Sequence, residues 1–164
     1  MTNFRSFEGT IIQIDNAWTD STINSGCTQQ FSVVNESGDM VNFIVTSDTY
    51  ILDHKMLEIG DHVIGFYDAN APVPFIFPPQ YRAIVMARVS RSETIAVDYF
   101  NRQLVSSDGF LKLNIGPSTM IMLTNGQRFT GNPSNNNLVV VYSFSTRSIP
   151  AQTTPSKIIV LCSK

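Results

Sequence analysis

Asp48, Asp53, His54, Asp61 and His62 crowd into one short stretch of the chain. Carboxylates and imidazoles are the side chains that hold divalent metals or move protons. A metal needs such groups to converge on one point, which sequences usually signal by a spacing such as H-x-x-x-H. His54 and His62 instead straddle the turn signal Gly60-Asp61, so no ligand set is expected and no metal is called for. Nucleophilic catalysis fares no better. Neither histidine has a serine or cysteine beside it in a motif context, and no glycine-rich phosphate loop is present. Cys27 and Cys162, the only cysteines, are far apart and read as two reduced thiols rather than a disulfide. The second half contains no histidine at all. The expectation is a protein that is not an enzyme and needs no cofactor.

Residues suited to binding are easier to find. Trp18, the single tryptophan, sits in a long turn-rich stretch, where an indole either stacks a ligand ring or caps a core. The segment Ala71-Pro72-Val73-Pro74-Phe75-Ile76-Phe77-Pro78-Pro79-Gln80-Tyr81 is the most unusual in the chain. Its prolines fix an extended backbone and remove hydrogen-bond donors, which argues against an inner strand. Phe75, Ile76, Phe77 and Tyr81 make it too apolar for an ordinary solvent loop, so it either folds back on its own chain or meets a partner. Phe77, beside Pro78 and Pro79, is expected to be structural, and Phe75 to be the freer ring. Arg147, with Arg91, Arg102, Lys112, Arg128 and Lys157, is a candidate for anion contact.

The run Gly60-Asp61-His62-Val63-Ile64-Gly65-Phe66-Tyr67-Asp68, followed by Phe77-Pro78-Pro79-Gln80-Tyr81, resembles a G-D-x-V-x-G-[YF]-Y-D … P-P-Q-Y pattern. That pattern marks a group of uncharacterised β-rich proteins from spore-forming anaerobic Gram-positive bacteria. The resemblance covers the first half only. It implies a bacterial origin and no activity.

The elements that must carry these residues are strands. Thr10 to Ile14, Phe31 to Val34, Met40 to Val45, His62 to Tyr67 and Ala83 to Val89 alternate β-branched or aromatic residues with polar ones, and Asn35 to Asp39 reads as a hairpin loop. Between the third and fourth, residues 48–57 read as one short helix, or as a turn followed by a short strand. Five strands with an insertion there is the order of an OB-fold barrel. The pattern recurs: Ile95 to Asp98 echoes Ile12 to Asp15, Ser106 to Gly109 echoes the hairpin loop, and Ser118 to Ile121 echoes Asp48 to Ile51. Residues 63–80 align without gaps on 139–156, pairing Phe66 with Tyr142, Pro74 with Pro150 and Pro79 with Pro155. The expected fold is all-β, a tandem pair of small five-stranded OB-like antiparallel barrels, residues 1–89 and 90–164. The alternative is a single ten-stranded barrel or sandwich.

With 43% hydrophobic and 15% charged residues over 164 positions, the chain can bury a core. No apolar run is long enough to span a membrane as a helix, and no leader pattern opens the chain, so a cytoplasmic protein without membrane contact is expected. Residues 1–89 hold four basic against ten acidic side chains, and residues 90–164 hold seven against three. The leading expectation is a binding protein that meets a protein partner or a second copy of itself. The rival is a binder of single-stranded nucleic acid or another anionic ligand through the more basic second half.

Overall fold

The computed structural model describes residues 2–17 and 26–162. It is all-β, as expected: among the described residues the one helical piece is a 3-10 turn at Leu52–His54. The chain divides into two compact units, Met1–Val89 and Ser90–Lys164.

In the first unit the strands are β1 (Phe4–Asn16), β2 (Thr28–Val34), β3 (Met40–Thr46), β4 (Tyr50–Ile51), β5 (His62–Asp68), β6 (Gln80–Arg82) and β7 (Val85–Arg88). They form one seven-stranded sheet in the order β4-β7-β5-β1-β2-β3-β6. β1 is long enough to serve two partners, β5 along its first half and β2 along its second. Its register shifts between Ile11 and Gln13, and a bulge of this kind bends a strand so that its halves face different neighbours. β2 and β3 make the hairpin, closed at Gly38, whose φ of 87° suits a residue without Cβ. β3 runs parallel to β6, and β7 antiparallel to β5. Only Ala83 and Ile84 separate β6 from β7, and their N–H groups donate to Ile44 O and Phe66 O. The pairing therefore runs from β1 through β2, β3, the β6–β7 segment and β5 back to β1.

Ile11, Phe31, Val33, Val41, Phe43, Val63 and Met86 fill the core of this unit. Gly65 is there because of Phe43: a Cβ at Gly65 would lie 2.6 Å from that ring.

The second unit contains β8 (Thr94–Phe100), β9 (Leu111–Leu113), β10 (Met120–Leu123), β11 (Asn136–Tyr142), β12 (Ala151–Thr153) and β13 (Lys157–Leu161). β10, β13, β11 and β8 form one sheet in that order, and β12 pairs with β9. Phe100, Leu111, Leu113, Leu138, Val140, Ile158 and Val160 make its core.

The expected five strands per unit are not what forms. The expected last strand, Ala83 to Val89, forms as β7 only from Val85, an unexpected β6 precedes it at Gln80–Arg82, and β4 is added at the sheet edge. In the second unit the place of a second strand is taken by the isolated bridges Phe100–Ser106 and Val105–Lys112. Each of the three sheets draws its strands from one unit, which does not match a single ten-stranded barrel or sandwich.

A set of hydrogen bonds recurs in the two units. Thr49 Oγ1 accepts from Thr46 N at 3.0 Å and donates to Ala83 O at 2.8 Å. Thr119 Oγ1 accepts from Gly116 N at 3.1 Å and donates to Pro155 O at 2.7 Å. Next along the chain, Tyr50 N donates to Ile84 O and Met120 N to Ser156 O, while Ile84 N donates to Phe66 O and Ser156 N to Val141 O. These bonds put Val141, not Tyr142, in the place of Phe66. Because Phe66 faces Ser6 and Val141 faces Ile95, Ile95 takes the place of Ser6 and not of Ile12. The gap-free alignment of 63–80 on 139–156 is thus out of register, as is the match of Ile95 with Ile12. Continuing from Ala83 and Pro155, it is Pro78 that corresponds to Pro150, and both follow a cis peptide bond.

Candidate functional site

The acidic and histidine-rich stretch does not assemble. His62 Nε2 lies 2.9 Å from Glu8 Oε2, and Asp61 Oδ1 accepts from Arg88 at 2.9 Å. Both pairs lie across strands rather than around a common centre. The backbone N–H of Glu58 holds the Asp61 carboxyl below the ordinary carboxylate range, and Arg88 helps. The His54 ring instead meets Tyr50 edge-on, with centroids 5.8 Å apart. Among the described residues no three His, Cys, Asp or Glu side chains come close enough to hold a metal ion. Cys27 and Cys162 are exposed and unpaired as a disulfide.

The proline-rich segment behaves differently. Its backbone leaves β5 at Asp68, turns at Asp68–Ala71 and, with four prolines among residues 72–79, joins no ladder before Gln80, where β6 pairs with β3. Asp68 Oδ1 pins the start of the turn by accepting from Asn3 N and Asn70 N. Beyond it Phe75 is fully exposed, Phe77 is 89% exposed, and Val73 and Ile76 are about half exposed. The expectation that Phe77 is structural is overturned. The two prolines after it fix the backbone where it rejoins β6, and the ring points to solvent.

The foot of the same loop is not featureless. Pro72, Val73 and Pro74 form one wall of a cavity of 330 Å³, opposed by Thr28, Ile44 and Arg82. Tyr81 belongs to the inner side. Its ring stacks on Tyr67 with centroids 3.9 Å apart and planes within 4°, and both pack against the core. Burial pushes the Tyr67 phenol up, and the neighbouring Tyr81 adds to this, so Tyr67 stays neutral at physiological pH.

Arg147 is exposed on the segment between β11 and β12 of the second unit. Trp18 lies outside the described residues. The sequence reading missed further exposed apolar side chains in the second unit, among them Phe110, Phe144 and Ile149. Their signal was available, because each is a large apolar residue set among glycine, serine or proline in a loop. The groove beside β10 gives no comparable sign in the sequence.

Comparison with known protein families and with curated proteins finds no match for the chain. Among the described residues no helix is long and apolar enough to cross a membrane.

Proposed function

We propose that the chain is a non-enzymatic protein-binding module, and that residues 72–77, with the cavity at their foot, are its docking element. The observation that carries this reading is the exposure of Phe75 and Phe77 on a segment stiffened by proline. Large aromatic side chains left in water on a short rigid segment gain free energy when a partner covers them. The prolines have already removed much of the loop's freedom, so little ordering entropy is lost on binding. Ten acidic against four basic residues in the first unit oppose approach to a phosphate backbone or an anionic membrane. A protein surface meets both the apolar tip and the charge.

In this reading each unit is an OB-like barrel and the second is a divergent copy of the first. The circular pairing of the first unit and the recurring threonine bonds support it. Barrel closure removes the unpaired edges that open sheets must protect, and leaves loops as the parts free to bind.

The test is a photo-crosslinking residue placed at position 75 of the full chain in the cells it comes from, with position 59 as an exposed apolar control. A protein adduct specific to position 75, whether to another protein or to a second copy, is the expected result. A nucleic-acid adduct would move the function to the rival reading. No adduct above the position 59 control would end the proposal.

A further inference from the structure

We infer that the second unit holds a separate binding site for a small amphiphilic carboxylate, meaning one carboxylate carried on a short apolar chain or ring. The site is a groove of 530 Å³ beside β10, within the size range of small-molecule pockets, roughly 300–1,000 Å³.

Its walls are fixed by backbone bonds. Phe129 N donates to Ile121 O, Leu123 N to Gln127 O, and Gly126 N to Leu123 O, so the chain after β10 doubles back along that strand. Met120 and Met122, on the face of β10 opposite Ile121, supply most of the groove's apolar surface, Ile121 and Phe129 reach it from the core they pack against, and Ser118 and Thr119 make its polar end. Met120 is 59% exposed, and Ile121, Met122 and Phe129 are half-buried. An apolar ligand body would therefore cover side chains that now meet water. Methionine adapts to irregular shapes, which suits a chain more than one rigid template.

Arg128 supplies the charge. Among the described residues it is the only ionisable side chain lining the groove, and its side chain makes no ion pair or hydrogen bond there. A guanidinium's fork matches a carboxylate with two parallel bonds. One such group beside an apolar floor selects a monoanion with an apolar body over a bare anion or a neutral hydrocarbon.

At the matching place in the first unit, after Tyr50 and Ile51, which correspond to Met120 and Ile121, the chain instead enters the 3-10 turn and buries Leu52 and then Leu57. The inference stands apart from the loop of the first unit and does not depend on it.

Titration calorimetry on the full chain tests it with octanoate, its neutral analogue octanamide, and acetate as the head group alone. Octanoate is expected to saturate at one site per chain. Octanamide should bind at least about tenfold more weakly, and acetate not measurably, because a charge-assisted bond and an apolar body are both needed. Arg128→Gln should remove that tenfold preference while leaving the melting temperature unchanged, since Arg128 is exposed. Arg147→Gln, outside the groove, should change nothing. The proposal is overturned by any of three results: no saturable octanoate binding at millimolar concentration, equal affinity for octanamide, or equal loss in the two arginine variants.

Discussion

Gly65 and Phe43 show how closely individual positions are matched. The ring of Phe43 occupies the space a side chain at Gly65 would need. In the second unit the corresponding residues are Val140 and Leu113, both buried in its core. One pair has the large residue on β3 and nothing on β5; the other has a smaller residue on β9 and a branched one on β11. Volume is exchanged between facing positions, and cores tolerate such exchange far better than a one-sided change. Gly65→Ala alone is expected to lose about 1–3 kcal/mol by overpacking. Adding Phe43→Leu should recover much of that loss, although Phe43→Leu alone is itself destabilising. Chemical unfolding of the two single variants and the double variant measures the coupling directly, and additive losses would contradict it.

At the level of elements, Thr49 and Thr119 each tie the turn before a short strand to the chain that enters the last strand of the unit. Each hydroxyl is part-buried, and both accepts one hydrogen bond and donates another. Thr49→Val and Thr119→Val keep the shape and remove both bonds, so each is expected to cost about 1–3 kcal/mol. Each loss should appear in the hydrogen exchange of its own β4–β7 or β10–β13 pair. The sequence shows these elements well, because β-branched alternation broken by turn residues marks β3 and β5 nearly to their ends and β2 from Phe31 onward. It also matched Thr49 with Thr119. It did not show register. Tyr67 and Tyr142 correspond, yet pairing Phe66 with Tyr142 looks equally good in composition. A slip of one residue turns every side chain to the opposite face, and only the hydrogen bonds reveal it. The prolines misled for a similar reason, since a shared P-x-x-x-x-P spacing survives a shift that the backbone does not.

For the molecule as a whole, two charge-contrasted units carry different unfilled surfaces: an apolar, proline-stiffened loop on the acidic unit, and a groove with an arginine rim on the basic one. The composition of 72–77 was legible as unusual, but its direction was not. Prolines and aromatic residues in series describe a segment folded inward as well as one held outward. Side-chain exposure decides between them, and it places Phe75 and Phe77 in solvent. The role proposed for this loop is binding, not holding the fold together. Urea unfolding of the Phe75→Ala/Phe77→Ala double variant separates the two. Stability within about 0.5 kcal/mol of the parent is expected, as for other exposed substitutions. A loss of about 2–5 kcal/mol, the cost of emptying a packed core site, would contradict it.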